Sequence, residues 1–252
     1  MSDDVSQDPI QDLFAGDEEE LDVDGTPFEE STPDQPAGDR LTTGIDILDR
    51  QLLGGVPRGR MVALIAPPDT QSELLVKRMV AERRTLYLTT LRPKWEVEEE
   101  LRDHLQAADF QKPTANQIDV LEVSPSNLLD DPKPVLDKIA DQSNFVIDAV
   151  NELEQQNPTA YGRFLNAAKR RLWETGSIGL CYGIEVKEEP PAGRSITLRL
   201  ADLIWQLQMS VNSQSIEHML IISKFRGGRA LTEPTKLVLT DEVQVDTSRD
   251  IA

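Results

Sequence analysis

The sequence has few of the features that mark secreted or membrane proteins. Its single cysteine, Cys181, excludes an intrachain disulfide framework. No uninterrupted apolar run approaches the length that a bilayer-spanning helix needs. The N-terminus lacks both the basic region and the apolar stretch of a signal peptide. We therefore expect a cytoplasmic protein without a membrane segment.

Basic residues are also scarce. Lys and Arg together number 26 against 45 acidic residues, which gives a formal net charge of −19, and Arg outnumbers Lys. An acidic surface keeps a protein soluble in concentrated salt, so the composition predicts a halophilic archaeon as the source. DNA affinity relies on clustered basic residues, and the sequence shows no separate DNA-binding module. The sequence therefore argues against direct nucleic-acid binding but does not exclude it.

The acidic residues are concentrated at the N-terminus. Residues 1–40 contain fourteen of them against one base, Arg40, so this segment accounts for −13 of the net charge. Such a segment cannot bury enough apolar surface to offset its chain entropy, and we predict a disordered acidic tail over 1–40. It either solvates the protein, which we favour, or docks on a partner through its scattered apolar residues. The remainder predicts one α/β domain over 41–246 and a C-terminal tail over 247–252.

A glycine-rich segment opens the predicted domain. Residues 41–59 contain a Thr-Thr-Gly start, the pair Leu48-Asp49, the pair Gly54-Gly55, and Val56-Pro57 before a closing Gly59. This pattern resembles the entry segment of the RecA superfamily, specifically its KaiC/RadA branch. The glycines suit tight turns around a short helix that carries Leu48, Leu52 and Leu53, and a buried strand follows over 60–65. The resemblance implies a RecA-like P-loop domain, with helices flanking a mostly parallel central sheet.

The loop after this strand departs from the family's phosphate-binding pattern. Such a loop needs glycines whose N–H groups surround phosphate, a Lys for the β/γ-phosphates and a Ser/Thr for Mg²⁺. In that register Ala66 replaces the first Gly, Gln71 the second, Ser72 the Lys and Glu73 the Ser/Thr. The other loop positions are Pro67, Pro68, Asp69 and Thr70. We predict no resident cofactor, with ATP and Mg²⁺ binding only if this degenerate Walker A loop still accepts them.

The same loop predicts a capping box. The Thr70 hydroxyl would accept from the N–H of Glu73, and the Glu73 carboxylate would accept from the N–H of Thr70. An internal anion would then satisfy the start of the helix. Residues 65–73 alone fit equally well an ordinary helix N-terminus without nucleotide-binding ancestry. The entry segment favours the first interpretation.

Strands and helices alternate through the rest of the domain, as in an α/β fold. The predicted strands are 85–89, 118–123, 144–148, 178–182, 200–209 and 218–223, and the predicted helices are 95–104, 134–139 and one that starts at Asn157-Pro158. The strand over 144–148 is apolar and ends in Asp148, which is the arrangement of a Walker B motif. Asp148 would be the magnesium ligand if Mg²⁺ is bound, and we predict no other metal site.

Two further segments bear on ATP hydrolysis. In the KaiC-like pattern a glutamate pair polarises the attacking water, but the corresponding positions here are Leu91 and Arg92. No intact catalytic residue is therefore expected. Lys224 and Arg226, by contrast, resemble the family's Lys-x-Arg segment, whose cations reach a neighbouring subunit's γ-phosphate. The alternative is a charged strand end before the turn at Gly227-Gly228.

Together these features favour a RecA/KaiC-like pseudo-ATPase over an enzyme, and the activity would be that of an ATPase if the chain is active. It would be a regulatory or structural partner of an active RecA-family paralogue or another protein, or would form a homo-oligomer. One alternative is an ATP-dependent accessory of the RadA type in DNA recombination and repair, which uses an atypical loop. Another is an adaptor in signalling or transcription whose only activity is protein binding.

Deletion of residues 1–38 tests the predicted tail. The melting temperature should stay nearly unchanged, because a segment that packs on nothing contributes little to the stability of the folded state. Thermal unfolding of the full and truncated chains, followed by circular dichroism, is the measurement. A clear drop in the melting temperature of the truncated chain would show that the segment docks on the domain.

Overall fold

The computed structural model describes residues 39–107, 117–186, 188–212, 215–229, 231–240 and 243–245. These ranges belong to one unit, which spans residues 37–252. The predicted tails lie outside the described residues, apart from Asp39 and Arg40, and stay predictions. No helix in the described ranges is long and apolar enough to cross a membrane.

The glycine-rich entry segment folds around a small antiparallel pair, β1 (Arg40–Leu41) and β2 (Val56–Pro57). The short helix α1 (Asp46–Gln51) lies between them and buries Leu48. Gly55 has φ 115°, and a Cβ there would lie 2.2 Å from the carbonyl oxygen of Leu41, so the turn requires glycine. The structure corrects one assignment: Leu53 has φ 57° and is 68% exposed, because the chain has already left the helix there.

Within the described residues, nine strands form the central sheet. In chain order they are β3 (Met61–Ala66), β4 (Thr85–Thr89), β5 (Ile118–Glu122), β6 (Asn144–Asp148), β7 (Ile178–Ile184), β8 (Leu203–Val211), β9 (Ile216–Phe225), β10 (Thr235–Leu239) and β11 (Val243–Val245). Their spatial order is β11-β10-β9-β8-β3-β7-β6-β4-β5. The segment from β8 to β5 is parallel, whereas β9, β10 and β11 continue it in antiparallel pairs. The predicted mostly parallel sheet is confirmed.

Helices cover both faces of this sheet. After α1 they are α2 (Glu73–Val80), α3 (Lys94–Ala107), α4 (Pro125–Asp130), α5 (Lys133–Leu136), α6 (Asn151–Glu154), α7 (Pro158–Thr175) and α8 (Arg194–Leu200). Alternation along a strand directs successive side chains to opposite faces. In β6, Val146 packs in the cluster with α1, α2 and α3, whereas Phe145 and Ile147 pack in the cluster with α4 to α7. The fold is therefore an α/β structure of three layers, with the sheet between two layers of helices.

Helix α7 forms as the sequence predicts. Asn157 is the N-cap, and its side-chain oxygen accepts from the N–H groups of Thr159 and Ala160, both at 3.0 Å. Pro158 occupies the first turn, where a missing N–H costs nothing. The predicted apolar face is buried, and its residues are Tyr161, Leu165, Ala168 and Leu172.

The region before β8 differs from its prediction as a strand from Leu200. Residues 194–200 form α8, and β8 begins only at Leu203. A tertiary contact explains the helix, since the guanidinium of Arg194 donates from Nε to both carboxylate oxygens of the fully buried Glu154 at 2.9 Å. That ion pair joins α8 to α6, two elements far apart in sequence. The sequence also gave no prediction of α4, α6, β10 or β11.

Candidate functional site

The candidate site lies where the parallel strands end. Strand β3 is paired on both sides, by β7 and β8, and its carboxyl end leads into the loop over 67–72. In open α/β sheets, ligands bind outside the carboxyl ends of the strands near such a central position. Asp148 ends β6 at the same edge and lies in register with Tyr182 of β7. The fold therefore brings the predicted loop and the predicted Walker B carboxylate to one edge.

The loop uses its own groups to form a turn. The Thr70 hydroxyl donates to the carbonyl oxygen of Pro67 at 2.8 Å, and the Thr70 N–H donates to the same oxygen at 3.3 Å. Pro67 and Pro68 have no N–H to offer a phosphate. The predicted capping box is wrong, since α2 begins at Glu73 without a side-chain cap. The nearby Pro67 carbonyl has captured the hydroxyl that the capping box required.

Ser72 and Glu73, at the predicted Lys and Ser/Thr positions, contact Tyr182. The Ser72 side chain is fully buried, and its hydroxyl lies 2.8 Å from the phenol oxygen of Tyr182. That phenol also donates to Oε1 of Glu73 at 3.3 Å. Burial raises the pKa of Tyr182; the Ser72 hydrogen bond opposes this rise and the Glu73 charge adds to it. Tyr182 therefore stays protonated, and the sequence prediction had missed it because it looked like one more apolar strand residue.

Asp148 is bonded to an arginine and a tyrosine. It is 5% exposed, and its Oδ2 accepts from Nη2 of Arg92 at 2.9 Å and from the phenol of Tyr87 at 2.5 Å. The backbone of Arg92 is fixed by Thr89, whose hydroxyl donates to the Arg92 carbonyl at 2.6 Å. Arg92, which stands where the KaiC-like pattern has a glutamate, thus forms an ion pair with Asp148, the predicted Mg²⁺ ligand. Leu91, at the other glutamate position of that pattern, is 59% exposed.

The ion pair continues into helices α2 and α3. Arg92 also binds Glu100 of α3 through Nη1, and Glu100 pairs with Lys77 of α2. Burial alone would lower the pKa of Arg92, but the hydrogen bond and charge of Asp148 outweigh it and raise that pKa. Burial likewise opposes, without reversing, the lowering of the Glu100 pKa by Lys77 and Arg92. Arg92 and Glu100 are therefore both charged at neutral pH.

A cavity of about 470 Å³ opens beside the loop, between Asp69 and Gln71 on one side and strands β9 and β10 on the other. Its lysine, Lys236, is paired with Glu217 at 3.0 Å. Asp69 adds a further carboxylate to the wall. The lining therefore offers no excess positive charge to a triphosphate.

These residues do not fit a Mg²⁺–ATP complex. Phosphate would meet two prolines and the carboxylates of Asp69 and Glu73, whereas the family's loop supplies amides and a lysine. A divalent cation at Asp148 would have to displace the guanidinium of Arg92, which already neutralises that carboxylate. Among the described residues, no group of three acidic, histidine or cysteine side chains could form a metal site.

The cationic groups of Lys224 and Arg226, the predicted finger residues, lie near the start of β8, toward the opposite end of the parallel strands from the loop. Lys224 is in register with Ile204 of β8, which pairs with Ala63 of β3, so its backbone lies three residues, or about 10 Å, before the end of β3. Its ammonium donates to the carbonyl oxygens of Leu198 and Arg199 at 2.8 and 3.0 Å, which lie at the C-terminal end of α8. The structure does not bring Lys224 and Arg226 to this chain's own loop.

Asp202 organises that opposite edge. It is fully buried and accepts from the N–H of Met61 at 3.0 Å and from Nζ of Lys169 at 2.8 Å. Arg226 lies 3.4 Å from the same carboxylate, and its side chain is 52% exposed. The sequence prediction missed Asp202, because its role depends on a contact across 141 residues that no local pattern reveals.

Comparisons with known proteins agree with the fold. Residues 40–252 match the model of a Family of unknown function (DUF7125). The structure is similar to the crystal structure of the KaiC-like protein PH0186 from the hyperthermophilic archaeon Pyrococcus horikoshii OT3, with a TM-score of 0.64 and 16% sequence identity. The similarity covers 82% of this chain and 98% of that chain, and it shows a KaiC-like RecA fold. No curated protein matches the sequence.

Substitution of Arg92 by leucine tests the ion pair. Arg92→Leu should lower the free energy of unfolding by about 1–3 kcal/mol, because it leaves the buried Asp148 charge without its cationic partner. Chemical denaturation is the measurement. The control is Arg102→Leu on α3, an exposed arginine without an ion pair among the described residues, which should change stability by less than about 0.5 kcal/mol. Equal effects of the two substitutions would show that the Arg92 pair is not stabilising.

Proposed function

The chain belongs to a family of unknown function, DUF7125, and we propose that it is a pseudo-ATPase with a RecA/KaiC-like fold. Its role would be regulatory or structural, as the partner of an active RecA-family paralogue or another protein, or within a homo-oligomer. The observation that carries this proposal is the ion pair between Arg92 and Asp148. In this ion pair a group of the chain itself occupies the predicted Mg²⁺ ligand, which supports a site whose arrangement does not depend on a bound nucleotide.

The loop supports the same proposal independently of the ion pair. A degenerate Walker A loop has lost the lysine that reaches the β/γ-phosphates, and Ser72 in its place is buried against Tyr182. The glutamate pair that would polarise water is also absent at Leu91 and Arg92. The ATP-dependent alternative, an accessory of the RadA type in DNA recombination and repair, would require rearrangement of both the loop and the ion pair.

Two features support the further proposals of a cytoplasmic location and a halophilic source. Burial raises the pKa of the Cys181 thiol to about 12, so this cysteine is an inert core residue and fits a reducing cytoplasm. The excess of acidic residues supports a halophilic source, in which surface carboxylates maintain solubility at high salt.

Calorimetry with Mg²⁺–ATP in high salt tests the proposal. The wild-type chain should show no saturable binding and no turnover. The rebuilt loop Ala66→Gly/Asp69→Gly/Gln71→Gly/Ser72→Lys/Glu73→Thr should recover some nucleotide binding but little hydrolysis, because Leu91 and Arg92 remain. Binding to the rebuilt loop should also depend little on Mg²⁺, since Arg92 still pairs with Asp148.

Tight, saturable binding by the wild-type chain would contradict the proposal. So would ATP turnover that Asp148→Asn abolishes. The rebuilt loop combined with Arg92→Glu is the matched comparison, because it frees Asp148 while keeping the restored phosphate contacts. If Mg²⁺ strengthens nucleotide binding only in this combination, Arg92 is the group that excludes the metal.

The position of Lys224 and Arg226 supports action on a partner's nucleotide. Their cationic groups bind the carbonyl oxygens at the end of α8 and the carboxylate of Asp202, and are thus directed away from the loop of their own chain. The proposal rests on the resemblance to the RecA superfamily, in which nucleotide sites form between neighbouring subunits. A chain with a degraded loop can still offer cations to the next subunit, as an arginine finger does. Arg226, half-exposed, is the more accessible of the two.

Reconstitution with an active RecA-family paralogue from the same cell tests this trans role. Lys224→Ala/Arg226→Ala should lower the stimulated ATPase rate of the paralogue about 10³-fold, because a finger stabilises charge that develops in the partner's transition state. The control is Arg102→Ala/Lys138→Ala, which removes two exposed cations elsewhere and should leave the rate unchanged. If no complex forms, or if the wild-type chain does not affect the paralogue, the finger hypothesis fails.

A further inference from the structure

A groove between α5 and α7 lies away from the candidate nucleotide site. Its volume is about 470 Å³, and Pro132, Leu136 and Ala167 contribute apolar surface to it. Its polar lining residues are Lys133, Asp137, Arg163, Asn166, Arg170, Arg171 and Glu174. We name it the α5–α7 groove.

Two arginines in this groove have no partner among the described residues. Arg163 and Arg170 are exposed and form no ion pair or hydrogen bond there. The other cations are neutralised, since Lys133 pairs with Asp137 and Arg171 lies 3.7 Å from Glu174. The groove lining thus has four cations against two carboxylates, whereas the whole chain has a net charge of −19. The charge of Arg163 and Arg170 is available to an anionic partner.

The spacing of these arginines matches a helix. They are seven residues apart on α7, which places them about two turns and 10.5 Å apart along one side of the helix. Carboxylates at positions i and i+7 of a second helix have the same separation. The partly exposed Pro132 and Ala167 would face the apolar residues between those carboxylates, as in other complexes where an amphipathic helix occupies a groove.

We propose that the α5–α7 groove binds an acidic amphipathic helix of a partner protein. A nucleic acid fits less well, because affinity for a continuous phosphate backbone relies on many clustered cations, whereas this groove has two arginines without a partner among the described residues. The proposal uses no residue of the nucleotide site, so it is independent of the proposed pseudo-ATPase role. It adds a docking surface of stated chemistry to the fold.

The probe is a labelled synthetic helix of about 18 residues, with glutamates at positions i and i+7 and leucines between them on the same face. Fluorescence anisotropy with the full chain should show saturable binding. Arg163→Glu/Arg170→Glu should weaken it about tenfold, because each arginine–carboxylate attraction becomes a repulsion. Arg102→Glu/Arg229→Glu is the control, since it makes the same change of net charge at exposed arginines outside the groove.

Four results would overturn the proposal. They are absence of saturable binding, equal weakening by the groove and control variants, equal binding of a scrambled peptide whose acids are spread around the helix, and loss of duplex DNA binding instead of peptide binding in the groove variant. A change of oligomeric state in the groove variant, measured by sedimentation, would instead assign the groove to a second copy of this chain. Circular dichroism of each variant establishes that it is folded.

Discussion

The ion pair between Arg92 and Asp148 connects two neighbouring strands of the sheet to helices on one of its faces. Asp148 ends β6, Arg92 follows β4, and Glu100 and Lys77 extend the network into α3 and α2. Tyr87 adds a second donor to Asp148 from β4. A half-buried guanidinium that neutralises a buried carboxylate costs much to remove, since the remaining charge would lose its partner in a poorly solvated place. Ion pairs of the chain itself therefore connect the elements at this sheet edge.

Functional groups are distributed over separate surfaces of the same fold. The carboxyl edge of the sheet has the internally bonded loop and Asp148, whereas the opposite edge has Lys224 and Arg226 around the buried Asp202. The α5–α7 groove lies on the helix layer that includes α7. The cations at the second and third of these surfaces support the proposed role, in which the protein acts through contacts with other chains. The proposed role thus depends on surfaces that the altered loop does not disturb.

Much of the fold follows from local sequence, and the exceptions have a common cause. Strands β4 and β6 were predicted with their observed bounds, because short apolar runs between polar segments define them, and Asn157 with Pro158 marks the start of α7. The sequence did not predict helix α8 or the contacts of Asp202, since both depend on partners distant in sequence. At the site, the substituted loop positions were legible in the sequence. The ion pair between Arg92 and Asp148 could not be predicted. The sequence shows that Arg92 stands where the resembled family has a glutamate, but not which residue its side chain contacts.

A structure determined from crystals grown with Mg²⁺ and a non-hydrolysable ATP analogue tests the central claim most directly. We predict that such a structure has the Arg92 guanidinium within hydrogen-bond distance of Asp148, Ser72 in contact with Tyr182, and no nucleotide at the loop. A structure in which Arg92 has turned away, Mg²⁺ is bound to Asp148 and phosphates contact the loop over 67–72 would contradict it.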